Sequence, residues 1–397
     1  MAFGSASARI WPVPPDWAGG VQESLAWATE VLQASGTAVT HHRSYRATPR
    51  RGFSFDVGAN AQRHRVVEML IGGHRGTWEL PIWPDGQRLA APLSADTDLI
   101  PCSTEWLDFS EGGRALLLGS INQWEVVEVA TVGDGYLVLE APVQAAWPRG
   151  TRLYPLRRAW LQDGAEARLR TDSFSRRRLA FDLDEPCDWP ELAGGAEHLG
   201  HRVLDRRPRS SAEPTFSVSG LRQSVDYGTG LPFHADLPRA ALRAQRDTWS
   251  MVGREQRAWF RSLLYTLRGR QRPIWVPSWS TDLQAVAAVS GTDLTVEWAG
   301  YSLFGAGRPN RRDLRIELRN GAVHYRRVVD AVEAGQAETL TLSAPLDGAS
   351  IEPRQIRKIS MMALATLASD STEIDHKVDS QGVAQAVTGW QEVLIDG

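Results

Sequence analysis

The sequence predicts a mainly β protein with flanking helices, of the α+β class, organised as two tandem homologous units. Three observations support this. Short motifs recur in the same order in both halves, hairpin turns separate alternating strands, and each half has one principal helical segment. The 397 residues are enough for two or three domains.

The composition is that of a folded protein, with 42% apolar and 23% charged residues. A net charge of −3 lacks the basic excess of a nucleic-acid-binding protein, so no sequence-specific nucleic acid is expected as a partner. Lysine occurs only at Lys358 and Lys377, and arginine supplies the remaining positive charge. Arginine with tryptophan suits contact surfaces, although a GC-rich genome explains the same bias more simply.

The start of the sequence has no secretory signal pattern, and no window approaches a membrane span. We therefore expect a protein that folds in a cytoplasm, with no membrane partner. Cys102 and Cys187 lie far apart and outside any C-x-x-C context, which predicts two ordinary thiols rather than a disulfide or metal site.

Short matches between the halves indicate a duplication. The matched segments are Pro81-Ile82-Trp83 with Pro273-Ile274-Trp275, Val57-Gly58 with Val252-Gly253, Thr97-Asp98-Leu99 with Thr292-Asp293-Leu294, and 137–143 with 340–346. They predict one unit at 1–183, a second at 215–397 and a linker at 184–214, with 57–99 superposable on 252–294.

The helices are predicted from apolar spacing. The segment "WAGGVQESLAWATEVLQASG" at 17–36 allows a first helix, although its β-branched residues make the pattern weak. In each unit an aromatic strand then leads into the principal helix, "NAQRHRVVEMLIG" or "REQRAWFRSLLYTLRG". Gly269 marks the end of the second of these helices.

Extended segments follow each principal helix. The Pro-Ile-Trp segment is predicted as an edge strand, because proline donates no hydrogen bond to a β-ladder. Hairpins are predicted to turn at 133–135, which reads Gly-Asp-Gly, and at Asn320-Gly321. The stretch 184–214 is rich in proline, glycine and charge, which is typical of a solvated linker.

Sequence signatures of catalysis are missing. The chain has no Walker-type loop, no G-x-S-x-G and no H-E-x-x-H. His198 and His201 have metal-ligand spacing but no third ligand nearby, and nothing flanking Glu105 or Asp226 favours a glycosidase pair. We expect no enzyme, no cofactor and no metal.

Three tryptophans stand in or near the segments that follow the helices. Trp83, Trp275 and Trp279 would suit either a carbohydrate platform or a structural contact, and their recurrence favours closing a sheet edge or packing a subunit contact. Together with Arg268 and Arg270 they form the predicted interface residues.

Several segments carry a resemblance to a known family. The stretch from "IWPVPPDW" to "RRGFSFDV", then "WELPIWPD" and "REQRAWFRSLLYTLRGRQRPIWVPSWSTDL", resemble tail proteins of long-tailed bacteriophages and prophages. The resemblance is to the distal-tail or tail-tip proteins of siphophages that infect Gram-negative hosts. The shared pattern is a Trp-Pro start, Pro-Arg-Arg before an aromatic strand, and a helix followed by G-R-x-x-x-[FI]-W-x-P.

The resemblance implies tandem tail-tube-like β-sandwich or barrel units, each with a β-hairpin subdomain. It implies a structural virion protein that forms a ring joining the tail tube to the baseplate hub. The implied partners are the chain itself, the tail tube protein, the baseplate hub protein and the tape measure protein. The implied location is the virion tail tip, and the host cytoplasm during assembly.

Two other functions compete with this one. The first is a carbohydrate- or receptor-binding β module of a phage or cell surface, and the second is a cell-wall hydrolase.

Two homologous units per chain also predict an assembly. Three chains would give six positions, in a trimer with pseudo-sixfold symmetry. The other arrangement is a hexamer with an inner and an outer tier.

Overall fold

The computed structural model describes residues 9–33, 39–74, 76–164, 166–169, 171–172, 174–208, 215–347, 350–378 and 382–394. The protein is mainly β, as predicted. The strands of the N-terminal half are β1 (Arg9–Ile10), β2 (Val21–Ala26), β3 (Thr29–Gln33), β4 (Thr40–Ser44), β5 (Arg50–Asn60), β6 (Trp78–Pro81), β7 (Gln87–Arg88), β8 (Leu99–Pro101), β9 (Arg114–Ser120), β10 (Gln123–Gly133), β11 (Tyr136–Leu139), β12 (Arg152–Leu161), β13 (Ala167–Leu169) and β14 (Phe174–Leu183).

The C-terminal half has a similar content of strands. These are β15 (Glu197–His198), β16 (His201–Arg202), β17 (Thr215–Val225), β18 (Phe233–Met251), β19 (Ile274–Pro277), β20 (Asp293–Glu297), β21 (Asp313–Leu318), β22 (Val323–Ala334), β23 (Ala337–Leu342), β24 (Ile356–Leu367), β25 (Ser371–His376) and β26 (Ala384–Glu392).

Both principal helices form where the sequence predicts them. They are α1 (Ala61–Gly73) and α2 (Arg254–Leu267). Arg268, the residue that caps the C-terminus of α2, has the left-handed conformation, and Gly269 follows with φ of +67°. Short helical turns also occur at Trp83–Asp85, Tyr301–Gly305 and Pro353–Gln355. No helix in the described part of the chain is long and apolar enough to cross a membrane.

The helix predicted at 17–36 is wrong, because its described residues form strands β2 and β3. Along β2, Val21, Glu23 and Leu25 are buried, whereas the residues between them are partly exposed. This period of two matches a strand with one buried face. Strand pairing on both sides of β2 overrides the weak helical spacing.

One long antiparallel sheet runs through both halves of the chain. Its strands follow the order β13, β14, β5, β2, β25, β26, β18 and β17. Strand β2, from the N-terminal half, lies between β5 of its own half and β25 of the other half. The two halves are therefore joined by continuous main-chain pairing. The sheets formed by the described strands are open.

The pairings outside the long sheet follow the same scheme in both halves. In the N-terminal half β12 pairs with β14, β6 and β9, and β9, β10, β11 and β8 follow in that order. In the C-terminal half β24 pairs with β26, β19 and β21, and β21, β22, β23 and β20 follow. The predicted hairpins turn at Gly133–Tyr136 and around Asn320-Gly321.

The matched segments Pro81-Ile82-Trp83 and Pro273-Ile274-Trp275 do not occupy equivalent positions in the two halves of the structure. Pro81 and Pro277 each end the strand that follows the helix, and Trp83 and Trp279 each lie two residues further on. Trp275, which the sequence comparison matched with Trp83, lies inside β19. Half of this four-residue displacement arises because the connection from α2 to β19 is two residues longer than the connection from α1 to β6.

The described part of the predicted linker, 184–208, is exposed over more than half of its residues, and a few buried residues anchor it to the C-terminal half. Cys187 and Leu204 are buried, and Trp189 packs against the core below α2. The His198 ring is 2.7 Å from Asp313 Oδ1, in a short hairpin formed by β15 and β16. The basic segment "RRPRSS" lies partly outside the described residues.

Candidate functional site: the joint between the two halves

The contact region between the two halves, called the joint below, is centred on strand β2. Glu23 pairs in register with Phe53 of β5 on one side and with Ile374 of β25 on the other. Leu25 and Trp27 continue from this strand into the core below α2, where they pack with Phe260 and other residues. A segment of the N-terminal half thus completes the core of the C-terminal half.

A buried carboxylate lies at the centre of the joint. Glu23 accepts hydrogen bonds from Arg51 Nε at 2.7 Å and from Arg261 Nη2 at 2.9 Å. His376 Nε2 lies 2.8 Å from the same carboxylate. All four side chains are almost completely buried, and two of them come from the C-terminal half. Glu23 therefore links the halves by charge as well as by strand pairing.

Electrostatics fix the charge states at this centre. Burial would raise the pKa of Glu23, but Arg261 and Arg51 outweigh it and hold the pKa well below its usual value. Burial lowers the pKa of His376, and the neighbouring Arg257 and Arg261 act in the same direction against the attraction of Glu23. At neutral pH these pKa shifts favour an ionised Glu23 beside a neutral His376.

A second group of buried charges, centred on Asp108, is connected to Glu23 through Arg51. Asp108 pairs with Arg51 and accepts a 2.7 Å hydrogen bond from Arg157. Burial would raise the pKa of Asp108, but the two arginines hold it below the usual value. Arg51 therefore bridges Asp108 and Glu23, so the charges form one connected network.

Helix α2 contributes a row of arginines to the joint. Arg254 donates to the Gly86 carbonyl at 2.8 Å, and Arg257 donates to the Pro84 carbonyl at 2.7 Å and pairs with Asp85. Together with Arg261 they lie at helical spacing, on the helix face that meets the N-terminal half. Arg257 and Asp85 are both fully buried.

The tryptophans of the predicted interface lie inside the chain. Trp83 packs against Phe55 and Tyr154 in the N-terminal core. Trp275 donates its Nε1–H to the His198 carbonyl at 2.8 Å, and the ring of Trp279 lies under the Arg315 guanidinium. These rings are at most 8% exposed, so they present little area to a second chain or to a sugar.

The two arginines of the predicted interface lie nearer the surface. Arg270 pairs with Asp370 at 3.1 Å and donates to the Thr29 carbonyl at 2.8 Å, which connects the two halves. Arg268 pairs with Glu191, 2.8 Å away. Within the described part of the chain, Arg270 is the member of the predicted set whose hydrogen bonds cross the joint.

The sequence analysis missed Glu23, Arg51, Arg257 and Arg261. The signal for the helix residues was an Arg at 254, 257 and 261 on a helix whose other face is apolar. The signal for Glu23 was its place between Val21 and Leu25 in a period-two pattern, which the helix prediction obscured.

The face of the long sheet opposite to Glu23 carries mostly polar side chains and borders a groove of about 1110 Å³. Its lining includes Gln22, Ser54, Arg178, Glu373 and Gln385, from five different strands. Among the described residues there is no group of three or more His, Cys, Asp or Glu side chains suited to a metal ion.

Comparison of the sequence with protein-family models found no match. A search of curated proteins also found no significant relative.

Proposed function

We propose that the protein is a structural component of the tail tip of a long-tailed bacteriophage, of the distal-tail type. In this proposal the chain forms a ring that joins the tail tube to the baseplate hub. Its partners are further copies of itself, the tube protein, the hub protein and the tape measure protein. The chain performs no catalysis in this role.

The observation that carries the proposal is the order of strands in the long sheet. The set β13, β14, β5 and β2 is followed by β25, β26, β18 and β17. In each set one middle strand, β5 or β18, precedes the principal helix in the chain. The other middle strand, β14 or β26, pairs with β12 or β24 respectively. We infer two tandem homologous units of β-sandwich type that contribute consecutive arcs of one sheet.

This arrangement supports a ring because, within one chain, the second set of four strands already continues the sheet formed by the first set. Contacts that repeat head to tail close into a ring when the rotation between units divides the circle. Three chains with two units each would provide six unit positions, which is the trimer predicted from the sequence. The two-tier hexamer is the other arrangement. The polar face of the sheet, with its groove, would line the lumen.

The experiment is native mass spectrometry of the purified chain, together with a cryo-EM reconstruction of the tail tip without imposed symmetry. A closed trimer or hexamer located between tube and hub is the expected result. A chain that stays monomeric in the intact virion would contradict the proposal, as would a virion that lacks the chain. A tape measure gene immediately upstream would support it further.

The carbohydrate-binding alternative has less support, because the three tryptophans that suggested it are buried. A glycan array read by tryptophan fluorescence tests it. Specific sugar binding that is lost in Trp275→Ala, with the fold retained, would favour the alternative.

A further inference from the structure

We propose that β17 of one chain pairs antiparallel with β13 of the next chain, with Phe216 opposite Ala167. This inference rests on the proposed function and names the contact that would build the ring. Both strands are at the ends of the long sheet, and in the described part of the chain each pairs with one neighbour only, β18 for β17 and β14 for β13. An unpaired strand edge is a template for another strand.

The joint inside the chain provides the template for the contact between chains. By position in the repeated order, β17 corresponds to β2 and β13 corresponds to β25. Strand β2 pairs antiparallel with β25. If the same joint repeats between chains, β17 is the strand that meets β13.

The strand registers fix which residues would face each other. Pro81 and Pro277 pair with Leu156 of β12 and Met362 of β24, and the residues five positions further along these strands pair with Phe181 and Trp390, which therefore correspond. Phe181 pairs with Phe53, and Trp390 pairs with Gln245. The next strands place Glu23 opposite Phe53 and Phe216 opposite Gln245, so Phe216 corresponds to Glu23.

The other side of the contact follows in the same way. Arg177 and Ala386 are each four residues before Phe181 and Trp390, and they pair with Ala167 and Ile374 respectively. Ala167 therefore corresponds to Ile374. Glu23 pairs with Ile374 inside the chain. The same register places Phe216 opposite Ala167 and Thr215 opposite Arg168 between chains.

Exposure gives an independent reason to expect a partner here. Phe216 is 64% exposed and Leu169 is 66% exposed. Their counterparts in the internal joint, Glu23 and His376, are both 0% exposed. Val218, the counterpart of the buried Leu25, is 47% exposed. Apolar side chains thus lie uncovered at positions that the internal joint buries, which is typical of an interaction surface.

Closure by three chains would set the diameter of the sheet. Three chains of eight strands, spaced about 4.8 Å apart and parallel to the ring axis, would close a sheet about 37 Å across. The partner is a second copy of this chain, because one chain carries both β17 and β13, the two strand edges that the register pairs.

Cysteine cross-linking tests the register. Cβ atoms of directly opposite residues lie within disulfide range, so Phe216→Cys/Ala167→Cys should form interchain disulfides under mild oxidation. We expect a ladder of species that ends at the oligomer seen by native mass spectrometry. The matched control is Ser219→Cys/Ala167→Cys, which is displaced by three residues and should give at least about tenfold less cross-link. The single variants control for Cys102 and Cys187, and mixing them should yield linked dimers only.

The outcomes separate the two proposals. An oligomer that forms but cross-links no better than the displaced pair would overturn the register and leave the ring standing. A chain that never self-associates would overturn both. If the double variant misfolds, hydrogen exchange on the unmodified chain decides instead. Within 215–220 and 166–169, the amides that point away from β18 and β14 should slow at least about tenfold on assembly, while those of the turn at 133–136 do not. Unchanged exchange would contradict the pairing.

Discussion

Glu23 and Arg261, 238 residues apart in sequence, form a fully buried 2.9 Å ion pair between the two halves of the chain. The contact joins a strand of the N-terminal half to the helix of the C-terminal half.

Replacing the central carboxylate should destabilise the protein strongly. Glu23→Gln leaves Arg261 buried without its paired carboxylate and leaves Arg51 with Asp108 alone, so we expect a loss of about 3–5 kcal/mol in the free energy of unfolding. Chemical denaturation measures it. Glu373→Gln, on the exposed face of the neighbouring strand, is the control and should change stability by less than about 1 kcal/mol. Equal effects of the two changes would contradict a central role for Glu23.

Stability should fall in two stages as the pH is lowered. The pKa of His376 is below 6.5 in the folded protein, so its contribution is present above pH 6.5 and is lost as pH falls through the folded value. The pKa of Glu23 is well below 4.5, so its contribution is lost only at more acidic pH. Denaturation from pH 7.5 down to about pH 2 measures both stages.

The variant His376→Asn should flatten the first stage and leave the second in place. Its pH profile is compared with that of the unmodified chain. An identical slope between pH 6.5 and 5 in both proteins would assign the first stage to another group.

The pair of Arg257 and Asp85 should show strong coupling. Asp85→Asn and Arg257→Met each leave a buried polar group without its partner, so each should cost about 3–5 kcal/mol. The double variant removes both charges and should cost clearly less than the sum of the two. A double-mutant cycle measures the coupling, and strictly additive effects would mean that the pair does not act as a unit.

Gly269 should resist substitution more than another glycine with the same backbone angle. In Gly269→Ala the new Cβ would lie 2.5 Å from Asp370 Oδ1 and 3.0 Å from the Cβ of Trp27. Gly291 has φ of +66° but open space around it. We expect about 1 kcal/mol for Gly291→Ala and at least about 2 kcal/mol for Gly269→Ala, measured by denaturation. Similar values would show that the neighbours of Gly269 move aside easily.

Trp275 should act as a core residue. Its ring packs with Val203, Met362 and Leu364, so Trp275→Ala should cost about 3–5 kcal/mol. Trp298 is 44% exposed, and Trp298→Ala is the control with a smaller expected loss. Thermal unfolding compares the two variants. A stable Trp275→Ala protein would return this ring to the set of candidate contact residues.

Local patterns in the sequence determined the mainly β character, both principal helices and the hairpin turns. The apolar spacing of α2 and the dipeptide Asn320-Gly321 act within a few residues, so each is readable without knowledge of the rest of the chain. The match of 137–143 with 340–346 also falls on corresponding strands, β11 and β23 with the residues that follow them.

Only the tertiary structure decided how the halves join. The segment around Glu23 has weak spacing of both kinds, and it became strand β2 because β5 and β25 offer main-chain partners on both sides. Burial of Glu23 is possible only because Arg51, Arg261 and His376 converge on it from distant places in the sequence. Such long-range compensation of a buried charge leaves no local pattern, because the partners meet only when the chain has folded.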